Sequence, residues 1–433
     1  MSTEEFSLRR FSDKLQAQHD QSIDNPITNW LRDRLIEQLY KIQLGSLRVH
    51  EDNSSFTIRG DQPDWVHAEI EIHHPQFYRY ITLGGSVGAA EAYMLGYWDS
   101  PDLTKVIRLF AINQSAMDNM EKGLARFAIP LKKAFHWLNK NTTEGSRRNI
   151  SAHYDLGNEL FTAFLDPTMM YSSGIYKNAE STLESASVEK IDRICRRLNI
   201  SPGDHVVEIG TGWGSFAIHA AKNYGCKITT TTISKEQYDY AKKKILEAGL
   251  ENQVELLFED YRNLTGQYDK LVSIEMIEAV GHHYYDDYFT KCSKLLKPDG
   301  QMLLQAITIS DQRFESAKKE IDFIKRYIFP GSCIPSVNAI SQSVTAKTDL
   351  RMTNLYDFGQ HYAQTLLDWR NNFNASFDSV RQHGYDDRFS RMWNFYLCYC
   401  AGGFQEGVIS VAQIHMVKPL ARTEFYVDDV NDY

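Results

Sequence analysis

The residues that best indicate a ligand site in this sequence are three glycines that follow an apolar stretch. Residues 205–209 are typical of a buried strand and residues 215–223 of the helix after it, with Gly210, Gly212 and Gly214 in the turn between them. Glycines let a backbone pass close to a ligand, because a Cβ at these positions would collide with it. The turn therefore predicts a site for a small molecule that carries adenosine.

The position of a nearby acidic residue separates two ligands of this kind. A dinucleotide site usually has Asp or Glu at the end of the next strand, about 20 residues on, where it holds a ribose hydroxyl. The next predicted strand, residues 227–232, carries no acid. Glu208 instead lies at the mouth of the turn, where its carboxylate can reach the amino group of a methionine tail. The sequence therefore favours S-adenosylmethionine (SAM) over NAD, partly by analogy at the level of the fold.

Composition and charge exclude several classes of protein. The chain has 433 residues, which predicts two or three folded units, and it contains no apolar window long enough to span a bilayer. Its N-terminus is polar and charged rather than a signal peptide, so we expect a cytoplasmic protein. The six cysteines form no CxxC pair and so indicate neither a metal site nor disulfides. A net charge of −9 argues against a nucleic-acid partner, since phosphate contacts need a basic face.

Residues 1–115 are typical of a small α+β domain. Their predicted elements are a helix from Trp30 to Leu44, a pair of strands at residues 46–49 and 55–59, and an alternating segment at residues 67–73.

Residues 116–150 are predicted to form a helical and basic linker. One interpretation is a solvated connection, and the other is a contact with a membrane surface, because basic side chains beside Trp and Phe suit the headgroup layer. The basic residues are Lys132, Lys133, Lys140, Arg147 and Arg148, and the apolar ones are Phe127, Phe135, Trp137 and Leu138.

Residues 151–433 alternate between strand and helix patterns. This alternation predicts a doubly wound α/β domain. The predicted strands are residues 206–209, 227–232, 254–258, 270–274 and 301–307.

Motifs in order along residues 151 to about 422 resemble those of the cyclopropane fatty acid synthase and mycolic acid methyltransferase family. A shorter match at residues 91–99 resembles the extra domain that precedes the catalytic one in full-length bacterial members. Besides the glycine turn, the motifs are residues 153–158, 170–173, 232–234 with Gln237, 259–262, 278–281, 327–331, 358–359 with Tyr362, and 395–397.

The resemblance implies a class I SAM methyltransferase domain that transfers a methyl group from SAM to the double bond of an unsaturated acyl chain in a phospholipid, giving a cyclopropane fatty acid. It further implies an enzyme on the inner face of the membrane, and it allows a homodimer. Methyl-branched, methylene-bearing or hydroxylated products are alternatives from the same cation. A small-molecule N- or O-methyltransferase and a lipid-binding protein without catalysis are further alternatives, which the motif around Glu278 disfavours.

Attack by an alkene on a sulfonium methyl leaves a carbocation, so the site must be dry and able to stabilise positive charge. In the family a bicarbonate ion beside the cation removes the proton that closes the ring, and Glu278 and Tyr362 match residues that hold this ion. Without the resemblance, Glu278 could be an acid at a helix N-terminus and Tyr362 a packing residue.

Three positions depart from the usual pattern of the family. Ser173 stands where many members have Cys, Gln305 where many have His, and Glu275 where cyclopropane-forming members often have Gly. Gln cannot become a cation, although its amide can still donate a hydrogen bond. Glu275 could orient a water that traps the cation, or it could brace Glu278, and the dry site that the cation needs favours the bracing role.

The resemblance also assigns contacts to SAM. Each of these residues could instead be structural, since Thr232 suits a strand and Tyr261 a core. The assignments are Tyr171 and Ser172 to the methionine moiety with Gly210, Gly212 and Gly214 against its backbone, Thr232 and Gln237 to the ribose, and Asp260 and Tyr261 to adenine.

Overall fold

The computed structural model describes residues 26–52, 54–114 and 156–422. Contacts divide these residues into two compact units. The first contains the described residues up to Asp102 together with Asn113 and Gln114, and the second contains the helix Leu103–Ile112 and residues 156–422. The predicted linker at residues 116–150 lies outside the described residues, and so do residues 153–155 of the first motif.

The first unit has the predicted α+β character. Its sheet has the order β2-β1-β3-β4, in which β1 pairs antiparallel with β2 and parallel with β3, and β3 pairs antiparallel with β4. The elements are α1 (Pro26–Leu39), β1 (Leu44–Glu51), β2 (Ser54–Arg59), β3 (Gln62–Ile72), α2 (Gln76–Met94) and β4 (Trp98–Asp99).

The first helix ends at Leu39, so the prediction that it continues to Leu44 was wrong. Leu44 already pairs with Gln62 in the sheet, and Gly45 has a φ of 82°, which no helix accommodates. The amide of Asn113 also fixes this corner, because its Oδ1 accepts hydrogen bonds from the backbone nitrogens of Gln43 and Leu44 at 2.9 and 3.0 Å. Tertiary contacts therefore override the helical pattern of the sequence.

The second unit is built on a seven-stranded sheet of order β10-β11-β9-β8-β5-β6-β7. The five predicted strands are present as β5 to β9 and run parallel, which confirms the doubly wound α/β prediction. Two strands that the sequence did not predict, β10 and β11, extend the sheet with antiparallel pairing. The strands are β5 (His205–Ile209), β6 (Lys227–Thr232), β7 (Val254–Phe258), β8 (Tyr268–Ile274), β9 (Leu296–Ile309), β10 (Arg351–Asp357) and β11 (Ile409–Val417).

Helices cover both faces of this sheet, and the apolar side chains of its strands divide between two cores. Val207 of β5 packs on one side and Val206 on the other, as a strand buried on both faces requires. The helices are α3 (Leu103–Ile112), α4 (Asn158–Phe164), α5 (Leu183–Arg197), α6 (Ser215–Tyr224), α7 (Lys235–Glu247), α8 (Tyr285–Leu295), α9 (Asp311–Ala317), α10 (Val337–Lys347), α11 (Gly359–Gln382) and α12 (Asp387–Gln405).

The strand order places the site. The chain leaves β5 toward β6 and β7 on one side and returns to β8 on the other, so the winding reverses between β5 and β8. Ligands of open α/β sheets bind in the crevice outside the carboxyl ends of the strands at this point. Glu208 and Glu275 are brought together there from sequence positions 67 residues apart (275 − 208).

None of the helices in the described parts of the chain is both long and apolar enough to cross a membrane.

Candidate active site

The glycine-rich turn has the backbone shape that its sequence predicts. Gly210, Gly212 and Gly214 have φ angles of 100°, 54° and 94°, in the region that glycine favours. The turn is held to β6, because the backbone nitrogens of Gly210 and Thr211 both donate to the carbonyl oxygen of Thr231, at 3.2 and 3.0 Å. A rigid, closely folded turn therefore opens onto the cleft.

The three glycines serve different purposes. A Cβ added to Gly212 would have no atom of the described residues within 4 Å, so the space in front of it is open to a ligand. A Cβ on Gly210 would meet the side chain of Met276 at 3.3 Å. A Cβ on Gly214 would meet that of Ala241 on α7 at 3.2 Å, so this glycine permits close packing of the turn against a helix.

One cleft gathers most of the residues predicted to contact SAM. Gly214 does not line it, and the assignment of each lining residue to a part of SAM stays a prediction. The lining residues among those predicted are Tyr171, Ser172, Glu208, Gly210, Gly212, Thr232, Gln237, Asp260 and Tyr261.

Glu208 places a buried carboxyl group at the inner end of this cleft. Its Oε2 accepts a hydrogen bond of 2.6 Å from the hydroxyl of Thr230, and burial raises its pKa to about 8. A carboxyl in this environment gains from a cation that arrives with a ligand, because the pair offsets the loss of solvation. Together with the open space at Gly212, this carboxyl fits the α-ammonium group of SAM.

Two further groups of cleft residues are fixed by short local contacts. The hydroxyl of Thr232 donates to Oε1 of Gln237 at 2.9 Å, so the amide of Gln237 is oriented by the end of β6. The carboxylate of Asp260 accepts bonds of 2.8 and 2.7 Å from the guanidinium of Arg262. The ring of Tyr261 packs edge-on to Tyr288, with centroids 5.6 Å apart. Structural roles thus accompany the predicted contacts with ribose and adenine.

The predicted catalytic residues meet around the carboxylate of Glu275. Its Oε1 accepts hydrogen bonds from the backbone nitrogen of Ser173 at 3.0 Å and from Nε2 of Gln305 at 2.8 Å. Its Oε2 accepts a bond of 2.6 Å from the hydroxyl of Tyr362. Glu275 is also part of the cleft lining, so this network opens directly onto the ligand space. The hydroxyl of Ser173 points elsewhere and donates to the carbonyl oxygen of Gly174.

Glu278 lies three residues further along the chain, and its carboxyl group makes different hydrogen bonds. Its Oε1 accepts from the backbone nitrogen of Ile307 at 2.5 Å. Its Oε2 is buried and has no hydrogen-bond partner within the described residues. Burial, and then the charge of Glu275, raise the pKa of Glu278 to about 8. The two carboxylates do not hydrogen-bond to each other among the described contacts, so the bracing of Glu278 that we expected from Glu275 is not a direct bond.

A buried lysine beneath the site was missed in the sequence. Nζ of Lys190 donates to the hydroxyl of Ser172 at 2.6 Å, and burial lowers its pKa to about 8 against the opposing charges of Glu275 and Glu208, among others. Lys190 lies on α5 between Ser187 and Ile194, all on the buried face of that helix. A lysine on the apolar stripe of an amphipathic helix was therefore the available signal.

Aromatic rings form one wall of the site. The hydroxyls of Tyr171 and Tyr396 lie 2.9 Å apart, and the ring of Tyr171 lies 5.2 Å from that of Trp369. Phe161 continues this cluster toward Trp213 of the glycine turn, at 4.7 Å. Such faces can stabilise a nearby positive charge without bringing water to it.

No group of three or more metal-ligating side chains occurs within residues 26–52, 54–114 and 156–422.

The pKa values of Glu208 and Glu278 predict how stability depends on pH. Both are about 8 in the folded protein against an ordinary value of 4.5, so the folded state holds protons that the unfolded chain has released. We therefore expect the free energy of unfolding of the ligand-free protein to fall as the pH rises from about 5 to 8. Urea denaturation across this range measures it. In Glu278→Gln the free energy of unfolding should fall less steeply with pH. An unchanged slope would contradict the raised pKa of Glu278.

Comparison with known proteins relates this chain to a family of enzymes. Residues 141–414 match the model of the mycolic acid cyclopropane synthetase family. The chain is 37% identical to tuberculostearic acid methyltransferase UfaA1 of Mycobacterium tuberculosis, over 80% of this chain and 82% of that protein. It is 36% identical to cyclopropane-fatty-acyl-phospholipid synthase of Escherichia coli, over 83% and 90% of the two chains.

Solved structures agree with the sequence comparisons. The mycolic acid cyclopropane synthase CmaA1, in complex with S-adenosylhomocysteine (SAH) and CTAB, aligns with a TM-score of 0.59 and 29% identity, over 63% of this chain and 98% of that one. The protein is thus a SAM-dependent methyltransferase, and it belongs to the mycolic acid cyclopropane synthetase family.

Proposed function

We propose that the protein transfers the methyl group of SAM to the double bond of an unsaturated fatty acyl chain in a phospholipid and forms a cyclopropane ring. The observation that carries this proposal is the pair of buried carboxylates, Glu275 and Glu278, beside a cleft with an aromatic wall. An alkene needs an electrophilic methyl group and a dry, negatively charged surrounding for the cation that forms. Methylation of an amine or a hydroxyl forms no carbocation and does not require such a surrounding.

The residues divide the work as follows. SAM supplies a methyl group on a sulfonium centre. Glu208 and the backbone around Gly212 would hold its methionine end and fix the position of the sulfur. Tyr171 and its aromatic neighbours would keep water from the cation and present their π-faces to it. Glu275 and Glu278 would stabilise the charge as it develops, and they need no reorientation because both are fixed by hydrogen bonds.

Mass spectrometry of lipids from a host that expresses the protein tests this function. We expect unsaturated acyl chains to gain one CH₂ unit and to lose bromine-reactive unsaturation. A host that expresses Gly212→Val is the matched control and should show unmodified lipids. Absence of any lipid methylation, with methylation of a small amine or hydroxyl compound instead, would contradict the proposal.

A different fate of the same cation is the second candidate. One relative is named for tuberculostearic acid rather than for a cyclopropane, and Glu275 occupies a position where cyclopropane formers often have Gly. A gain of CH₂ with retained unsaturation would indicate a methyl or methylene branch, because loss of a proton from the cation without ring closure restores a double bond. Methyl together with hydroxyl would indicate that water traps the cation.

We propose further that the enzyme acts on lipid at the cytoplasmic face of a membrane, as a peripheral protein. A net charge of −9 cannot attract anionic vesicles, so the attraction must be local. The basic and aromatic segment at residues 116–150 supports this by its composition, although it lies outside the described residues. The homodimer stays a prediction, which sedimentation analysis would test.

Reversal of four charges in this segment tests the membrane proposal. We expect the combined change of Lys132, Lys133, Arg147 and Arg148 to Glu to weaken sedimentation with anionic vesicles, since each basic residue near such a surface contributes about 1 kcal/mol. Binding of SAM should be unchanged, which serves as the control for folding. Equal sedimentation of parent and variant would remove this segment from the account.

A further inference from the structure

The hydrogen-bond donors that an external anion would need already donate to the carboxylate of Glu275. The backbone of Ser173, the amide of Gln305 and the hydroxyl of Tyr362 all donate to it, at 3.0, 2.8 and 2.6 Å. Tyr362 is a residue that the resemblance assigns to bicarbonate, and its only hydroxyl hydrogen is directed at Glu275. The residues present therefore do not fit an additional bicarbonate ion at this position.

Charge leads to the same conclusion. Glu278 lies beside this network, its Oε2 is buried without a hydrogen-bond partner in the described part of the chain, and the charge of Glu275 acts on it. A bicarbonate ion would add a negative charge to a dry space that already holds two carboxyl groups. Lys190 supplies one buried cation nearby, and Gln305 cannot supply another where the family often has His.

The backbone shows that Glu275 is held there against a local preference. Its φ is 49°, which is unfavourable for a residue with a side chain. Such a conformation costs on the order of 1–3 kcal/mol and persists only where the surroundings enforce it, often at functional sites. Here its backbone nitrogen donates to the carbonyl oxygen of Gln305 at 2.8 Å. This backbone turn carries a carboxylate into the cleft at a position where glycine would adopt the same φ without strain.

We propose that Glu275 is itself the base that closes the ring, in place of an exogenous bicarbonate ion. The inference rests on the proposed function. The alkene π electrons form a bond to the SAM methyl carbon as the carbon–sulfur bond breaks and SAH leaves. Glu275 then takes a proton from that former methyl group, and the electron pair of the broken C–H bond forms the second ring bond to the cationic carbon. The resulting carboxylic acid returns its proton to water after product release.

The test compares parent and Glu275→Gly in buffer freed of carbon dioxide, with and without added bicarbonate. We expect the parent to turn over at the same rate in both. Glu275→Gly should lose roughly a hundredfold or more in kcat, and bicarbonate or acetate should restore part of it by filling the space left by the carboxylate. Glu275 also lines the cleft, so calorimetric titration with SAM is needed to separate a loss of turnover from a loss of binding. Glycine relieves the strained φ, so the variant should fold.

Binding gives a second readout that does not depend on turnover. Titration of each protein with [¹³C]bicarbonate, followed by NMR line width, should show saturable binding to Glu275→Gly and none to the parent. Asn199→Gly is the matched control, because Asn199 also has a left-handed φ, of 48°, but lies exposed at the end of a helix away from the cleft. It should resemble the parent in both assays.

Several results would overturn the inference. A parent whose rate rises saturably with bicarbonate, or which binds it, still needs the external ion. A Glu275→Gly variant with the parental rate in bicarbonate-free buffer has no use for this carboxylate. In either case the parent still methylates acyl chains, so the proposed function survives. A parent that methylates no acyl chain refutes the proposed function and this inference together.

Discussion

Glu278→Gln should retain the SAM affinity of the parent enzyme and lose on the order of a hundredfold or more in turnover. The substitution removes the carboxyl group whose ionised form would face the developing cation, and loss of one preorganised electrostatic partner typically has an effect of this size. SAM binding should be spared, because Glu278 is not among the residues that line the cleft. Calorimetric titration with SAM and a single-turnover assay on lipid vesicles would measure the two quantities separately.

The structure allows this variant to fold normally. The side-chain oxygen of Gln can still accept the bond from the backbone nitrogen of Ile307. Burial raises the pKa of Glu278 to about 8 because it penalises the charged form, and an uncharged amide does not incur this penalty. Glu247→Gln is the control, since Glu247 lies at the exposed end of α7 and pairs only with lysines there within the described contacts. A near-parental rate in Glu278→Gln would assign Glu278 a structural role.

The parts of the fold that the sequence predicted are those with a strong local signal. The strand at residues 205–209 is an apolar run that ends in glycines, and the structure has this strand and turn at the predicted residues. β10 has no such signal, because its residues alternate between exposed and half-buried at an edge of the sheet. β11 is apolar but follows a long helix, and only its pairing with β9 and β10 defines it as a strand.

The catalytic residues could be named only through the resemblance to a family. Ser173 and Glu275 are 102 residues apart, and Tyr362 and Glu275 are 87 apart, so no local pattern joins them. The hydrogen-bond partners that sequence reasoning missed were missed for the same reason. Gln413 donates to Oε1 of Gln305 at 3.0 Å across 108 residues, from a strand that the sequence did not predict. Local pattern predicts elements, whereas the long-range packing of those elements decides which polar groups meet.

The second large effect is expected from Gly212→Val, which should abolish measurable SAM binding. A Cβ at this position projects into the open side of the turn, where no atom of the described part of the chain lies within 4 Å. A branched side chain would therefore occupy the space that the ligand needs. Calorimetric titration with SAM and with SAH would measure the loss of binding, and no lipid product should form.

Backbone strain alone could also weaken binding, because Gly212 has a φ of 54° that valine tolerates poorly. Gly249→Val separates the two causes. Gly249 has a φ of 68°, and a Cβ there would likewise meet no described residue within 4 Å, but it lies after α7 and does not line the cleft. Both variants should lose stability by a similar amount, on the order of 1–3 kcal/mol, while only Gly212→Val loses SAM. If Gly249→Val lost SAM equally, general destabilisation would explain the result, and unchanged binding in Gly212→Val would refute the predicted position of the ligand.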